Sequence, residues 1–249
     1  MKRPSGSTRT ALVTGASRGI GRAIARSLLE QGYRVACGYH SHHQGAQLLE
    51  AEFKSAKAIK LDVHNRNAIR RGLASAQRHF GRPIDILVNN AAIADERPLE
   101  EITDAQWDRV LATNLRGPFI ACQEALPHMI EQSWGRIINI VSVGGQWGGM
   151  RQVHYAAAKA GLINLTQSLA RLYSGKGITA NAVSPGLVGT EMAKAELRSA
   201  AGRTKAAQIP LGRIAHPEEI AAAVLFLCSE GAAYVTGHTL NVNGGKYFQ

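Results

Sequence analysis

What is scarce in this chain narrows its roles first. Its 249 residues hold three cysteines, Cys37, Cys122 and Cys228, an odd number scattered through apolar segments. That pattern argues against a disulfide framework or a cysteine metal site and predicts reduced, buried thiols. Aromatic residues make up only 6% of the chain and are not interleaved with basic runs, as a single-strand-binding surface would require. Acidic residues are few, 18 against 29 lysines and arginines, for a formal charge of +11. The excess is spread along the chain without a Lys/Arg run, so it predicts attraction for anionic ligands, not a nucleic-acid partner. No apolar run approaches the ~18 residues a membrane span needs. Residues 1–9 are basic and polar with no apolar stretch before a cleavage site, so a secretory signal is not expected and a soluble, cytoplasmic protein is. Repeats, linkers and low-complexity segments are also missing, and the expectation is one domain over 1–249 with a sizeable core.

What is present is a regular alternation of short apolar runs and helical patterns. Strands are predicted at 10–14, 33–39, 56–61, 84–88, 136–141, 178–183 and 239–242. Helices are predicted at 22–31, 44–54, 65–80 and 153–173, and from Pro217 to about 228 with Glu218 and Glu219 in the first turn. A further long helical region opens at a Thr103/Gln106 capping box and runs to about 132, with Pro118 kinking or breaking it. Strand and helix alternating through short links predict an α/β fold, a doubly wound parallel sheet of the Rossmann type. Residues 187–215 hold no clear element. They are helix-prone over 191–200 and then loop-like, and a long excursion after a strand in such a fold reads as a mobile lid.

Between the first strand and the first helix the chain reads Gly15-Ala16-Ser17-Arg18-Gly19-Ile20-Gly21. Glycines there permit a tight turn whose backbone N–H groups and helix end face a pyrophosphate, which predicts a nucleotide cofactor. No Lys-Ser/Thr pair follows, so a nucleoside triphosphatase is not expected. An NAD site usually closes with an acidic residue at the end of the second strand. Here that end reads Gly38-Tyr39-His40-Ser41-His42-His43, without a carboxylate, and Arg18 supplies positive charge within the loop. NADP(H) is therefore favoured, with Arg18, His40 and Ser41 toward a 2′-phosphate. A metal site at His40, His42 and His43 is the competing idea, but no further ligand cluster supports one, and no metal is expected.

The stretch from Ser142 to Lys159 carries the chemistry. Tyr155 lies thirteen residues after Ser142, and Lys159 lies four residues further, one helical turn along on the same face. A hydroxyl donor, a titratable phenol and a fixed cation are what moving a hydride and a proton together requires. A free phenol titrates near ~10, so acting near neutrality requires its pKa to fall by ~2–3, which Lys159 and an oxidised nicotinamide would favour. Ser142 would donate to the substrate oxygen as charge develops there.

TGASRGIG at 14–21, the Asn89-Asn90-Ala91-Ala92 run, Asn114, Ser142, Tyr155 to Lys159 and Pro185-Gly186 together resemble the short-chain dehydrogenase/reductase family, in order and over nearly the whole chain. Within it, the TGASRGIGRAIA opening, the Gln208 to Arg213 stretch and Val235 to His238 are most similar to the NADPH-dependent 3-oxoacyl-[acyl-carrier-protein] reductases. The resemblance implies a catalytic set of Asn114, Ser142, Tyr155 and Lys159, with Asn114 holding a water that relays protons from Lys159, and Lys159 bonding the nicotinamide ribose. It implies cofactor contacts from the Gly15, Ser17, Arg18, Gly19, Ile20 and Gly21 loop. Asp62 and Val63 would flank the adenine, Asn89 and Ala91 the adenosine, and Val188 and Thr190 the nicotinamide amide beyond Pro185 and Gly186. It further implies a substrate lid around 190–208 and a homotetramer built partly through the helices carrying Tyr155 and 217–228.

The sequence departs from that pattern in places. Ala92 stands where glycine is usual, and Asn243 where an aspartate precedes the terminal glycines. Of two basic positions that dock an acidic acyl carrier protein, this chain has Ser133 and Lys176, so Arg136, Arg151 or Arg171 would have to replace the first. The loop after Ser142 is distinctive, and Gly144, Gln146, Trp147, Met150, Arg151, Gln152 and His154, with Met192 from the lid, are the candidates for lining the substrate entrance. Trp147 would either pack on an acyl chain or plug the space beneath the lid. The expected function is NADPH-dependent reduction of a 3-oxoacyl thioester. Reduction or oxidation of another carbonyl or alcohol (a 3-oxoacyl-CoA, sugar, steroid or small ketone) stays open beside it. A nucleotide-binding regulator and a nucleic-acid binder are the readings the intact residue set and the dispersed charge oppose.

Overall fold

The computed structural model describes residues 9–191 and 200–248, so Met192 and most of the predicted 191–200 helix lie outside the described residues. Seven strands among the described residues form one sheet: β1 (Thr10–Val13), β2 (Arg34–Tyr39), β3 (Ala56–Lys60), β4 (Ile86–Asn89), β5 (Gly135–Ile140), β6 (Ile178–Pro185) and β7 (Thr239–Val242). All pairings are parallel, in the order β3-β2-β1-β4-β5-β6-β7. The central strands are buried on both faces, as their unbroken apolar runs predict. Chain direction across the sheet reverses between β1 and β4, and there the carboxyl ends of the strands leave a crevice.

Helices cover both faces. α1 (Gly19–Glu30), α2 (Gln44–Glu52) and α9 (Pro217–Cys228) pack one side through Ile24, Leu28, Leu49, Ile220, Val224 and Leu227. On the other side α3 (Arg66–Phe80), α5 (Gly117–Glu131) and α7 (Val153–Tyr173) contribute Ile69, Ile120, Met129 and Leu169. Cys37, Cys122 and Cys228 are free and buried in these layers, and burial pushes each thiol up to about 12, which leaves them unreactive. No helix among the described residues is long and apolar enough to cross a membrane.

The local signals act as their chemistry dictates. Thr103 Oγ1 accepts from Gln106 N at 3.3 Å while Gln106 Oε1 accepts from Thr103 N at 3.0 Å, opening α4 (Asp104–Leu111). Glu219 accepts from His216 N at 2.8 Å at the start of α9, and its two-pronged pair with Arg213 holds its carboxyl down at about 2.

Three features differ from the sequence reading. The break at Pro118 takes the form of a π turn, Ala112–Arg116, that ends just before α5, so the proline falls in the first turn of a new helix. A short helix, α6 (Gly144–Trp147), forms in the glycine-rich stretch after Ser142. Within the excursion read as loop-like, α8 (Ala200–Ala207) is helical, because four alanines outweigh the single Gly202 in intrinsic preference. The excursion is closed at its base, where Ala215 N donates to Leu187 O at 3.0 Å and Gly189 N to Ala215 O at 2.9 Å.

Candidate active site

The crevice begins with a latch between the turns after β1 and β4. Thr14 Oγ1 accepts from Asn90 N and Ala91 N, both at 3.0 Å, and Asn90 Nδ2 donates to the carbonyls of Thr14 and Gly15 at 2.9 and 3.2 Å. Gly15 and Gly19 have φ of +67° and +52°, conformations that side chains rarely tolerate. A Cβ on Gly21 would lie 2.2 Å from Gly15 O and 2.3 Å from Asn90 Nδ2, so the loop closes only around a bare backbone. Gly45 in α2 meets the loop from outside, its Cβ position 1.8 Å from Ser17 O. We expect Gly21→Ala to weaken NADPH binding by at least about 100-fold in a fluorescence titration while the chain still folds, since an intruding methyl must displace the phosphate-facing backbone. Unchanged affinity would show that the loop does not hold the cofactor.

The positions expected to hold the cofactor lie as follows. A Cβ on Gly19 would lie 3.2 Å from Thr190 Cγ2, so the loop at the head of α1 and the segment after β6 face each other. Pro185 ends β6, Gly186 packs on Asn243 and Val188 is buried. Ser17 and Ile20 are half-buried in the loop, and Arg18, His40 and Ser41 are exposed at its outer end without a carboxylate partner among the described residues. Asp62 accepts from His64 N at 2.9 Å, and Val63 beside it lies against Gly117. Asn89 is different. Its amide Nδ2 donates to Asn139 Oδ1 at 2.9 Å within the core, with Ala91 close by in sequence.

Deeper in, β5 delivers Ser142 and α7 delivers Tyr155 and Lys159. Ser142 Oγ accepts from Gly144 N at 3.2 Å, the first N–H of α6. With a lone pair used there, its proton is left for another acceptor, and the Ser142 side chain is near enough to pull the Tyr155 phenol down. Lys159 is buried, donates from Nζ to Ile140 O at 2.7 Å and stands 5.5 Å from the centre of the Tyr155 ring. Gly145 lets α6 press on α7 at this level, because a Cβ there would meet Lys159 Cβ at 2.8 Å. Burial pushes the Tyr155 phenol up to about 12 against the pull of Ser142, and lowers Lys159 to about 7. The expected depression of Tyr155 is therefore not produced by the chain's own groups, since desolvation outweighs one hydrogen bond.

Asn114 sits in the π turn with both side-chain atoms committed. Its Oδ1 accepts from Ile93 N at 3.0 Å and its Nδ2 donates to Ile93 O at 2.8 Å. The π turn that carries it ends just before Pro118, a residue with no N–H to donate.

The entrance candidates separate. Gly144 and Trp147 bound α6, and Trp147 is half exposed. Gln146 Oε1 accepts from Ser184 Oγ at 3.0 Å, so its amide carbonyl points toward β6. Gln152 Nε2 donates to Glu96 at 2.9 Å, and Met150 and Arg151 are exposed. His154 is fully buried within α7, not at the entrance, with neither ring nitrogen bonded. Arg136 is no docking residue either: its guanidinium lies buried 4.3 Å from the Trp134 ring centre and pairs with Glu230. Gly45, Gly145 and Glu96 escaped the sequence reading as parts of this site, while Thr14 and Asn90 stood within quoted motifs without a role of their own.

Comparison with known proteins gives a consistent neighbourhood. A family model described as enoyl-(acyl carrier protein) reductase matches residues 15–246. An acetoacetyl-CoA reductase of Rhizobium meliloti is 44% identical over 241 residues, covering 97% of this chain and 99% of its own length. A 3-oxoacyl-[acyl-carrier-protein] reductase of Vibrio cholerae is 44% identical over 240 residues, covering 96% and 97%. The crystal structure of a presumed gluconate dehydrogenase from Agrobacterium tumefaciens superposes with a TM-score of 0.91 at 34% identity, over 96% of this chain and 95% of that one.

Proposed function

Because the chain belongs to the short-chain dehydrogenase/reductase family and is an oxidoreductase acting on C=O and CH–OH groups, we propose that it reduces the 3-oxo group of an acyl thioester with NADPH. One observation carries the reading: β5 and α7 bring Ser142, Tyr155 and the buried Lys159 together, with Lys159 Nζ 5.5 Å from the Tyr155 ring centre. The loop residues and Thr190 would hold the cofactor, with Arg18, His40 and Ser41 at the 2′-phosphate. The positive charge of Arg18 and the missing carboxylate support NADP over NAD. When bound, that cofactor supplies the hydride.

The chain's own residues manage the oxygen and its proton. Ser142, its lone pair fixed by Gly144 N, directs its O–H to the carbonyl oxygen and stabilises charge there. Tyr155, kept protonated by burial, gives that oxygen its proton. Lys159 restores it: an ammonium near 7 is a much stronger acid than a phenol near 12, so transfer to the phenolate runs downhill. Nζ of Lys159 has donors left beyond Ile140 O for the nicotinamide ribose, and Asn114 would hold the water that links Lys159 to solvent.

A lid over 187–215, hinged where Leu187 and Gly189 pair with Ala215, and a soluble, cytoplasmic homotetramer are parts of the same proposal. Exposed Phe119, Leu172 and Phe226 support the assembly, as does a hollow of about 540 Å³ lined by Leu111, Leu115 and Leu165 on the α5 and α7 face. The test is initial-rate oxidation of NADPH and of NADH with acetoacetyl-CoA, an acetoacetyl carrier protein and a panel of ketones and sugars. We expect both thioesters to be reduced, with kcat/KM for NADPH at least about 10-fold above NADH, as one charge-assisted contact predicts. A preference for NADH overturns the reading of Arg18 and His40. Turnover confined to sugars or simple ketones overturns the thioester.

A further inference from the structure

The C-terminal turn after β7 reaches back to the active-site helix. Asn243 holds that turn from both ends, its Oδ1 accepting from Gly245 N and its Nδ2 donating to Tyr247 O, each at 3.0 Å. A carboxylate at 243 would face the Tyr247 carbonyl without a proton to offer, so the amide is what seats the tail. Seated in this way, Tyr247 meets Trp147 edge-on with ring centres 5.8 Å apart, and Lys246 Nζ stands 5.7 Å from the Trp147 ring centre. Trp147 closes α6, whose first N–H is capped by Ser142 Oγ. The four residues of α6 rise about 6 Å, so the tail cation stands at the far end of a short helix whose near end is the Ser142 cap.

Lys246 has no carboxylate within ion-pair distance among the described residues, and an indole face binds its charge without neutralising it. Of the charged groups near the loop after Ser142, Glu96 accepts from the Gln152 amide and Asp95 is paired with Arg97 and Arg109. We propose that Lys246, propped on Trp147, is a specificity-determining residue that recognises a phosphate on the arm of the thioester substrate. This rests on the thioester reading above. It assigns Trp147 a role that neither packing on the acyl chain nor plugging the lid describes, that of a stand for a cation.

The experiment compares acetoacetyl-CoA, acetoacetyl-4′-phosphopantetheine and acetoacetyl-N-acetylcysteamine, the last being the same thioester without phosphate. For Lys246→Met, the ratio of kcat/KM with the CoA thioester to that with the cysteamine thioester is expected to fall about 10-fold from the wild-type ratio. Lys246→Arg is expected to restore most of it, and added salt to lower the wild-type ratio but not that of the Met variant. An equal fall for phosphopantetheine places the contact at the pantetheine phosphate, and a fall confined to CoA places it at the nucleotide end. A ratio that Lys246→Met leaves unchanged, while wild type reduces all three, overturns the assignment alone. A wild-type enzyme that reduces none of them overturns the thioester reading and this inference with it.

Discussion

Tyr155→Phe is expected to lower kcat for thioester reduction by roughly three orders of magnitude, within the 10²–10⁴ range that a positioned general acid contributes. The substitution removes one oxygen and nothing else. Phe retains the ring that lies beside Lys159, and the glycine loop is untouched, so NADPH affinity and the melting temperature are expected to stay within a factor of about two and a few degrees. Ser142 remains capped on Gly144 N and still polarises the carbonyl, which leaves a residual rate above the uncatalysed one. Single-turnover kinetics with saturating NADPH separate the loss of chemistry from a loss of binding. Near-normal turnover would remove Tyr155 from the mechanism and leave Lys159, near 7, as the proton source.

The fold was legible because its signals are local and redundant. Strand runs buried on both faces, the glycine loop between β1 and α1, the capping box at Thr103 and Pro217 at a helix start each have one physical reading, and the sheet order follows from them. The functional set was legible as residues but not as an environment. Ser142, Tyr155 and Lys159 announce themselves by spacing, yet burial decides that the phenol rises and the ammonium falls, and burial is a property of the packed chain. Asn114 shows the same limit. Its neighbour Pro118 was read as a helix break, while the π turn before it, which seats the Asn114 side chain on Ile93, left no sequence signal. Trp147 and Asn243 were visible as oddities, and only the tertiary contact with the tail joins them. Glycines at 45 and 145 carried no message, because what they make room for lies far away in sequence.

Lys159→Met should abolish reduction and, in the ligand-free protein, stabilise the fold. Lys159 is almost wholly buried, its one hydrogen bond goes to Ile140 O, and burial brings its ammonium from the ordinary 10.5 to about 7. Below pH 7 the folded chain must carry that desolvated charge, at a cost on the order of 5 kcal/mol. Between pH 7 and 10.5 the unfolded chain holds a proton that the folded chain has released, so wild-type stability rises with pH and the cost fades. Methionine has the same unbranched reach without the charge, and the Ile140 carbonyl left without its donor costs about 1–3 kcal/mol in return. At pH 6 and matched protein concentration, the denaturation midpoint of Lys159→Met is therefore expected to exceed that of wild type by a few kcal/mol, with the gap closing steadily toward pH 9.5. Stopping there keeps the scan below the range in which the raised Tyr155 phenol contributes. A variant less stable than wild type at pH 6, or a gap that does not change with pH, would show that the ammonium is solvated in the folded chain. An ammonium so solvated would titrate near its ordinary value of 10.5, and its return of a proton to a phenol near 12 would be only weakly downhill.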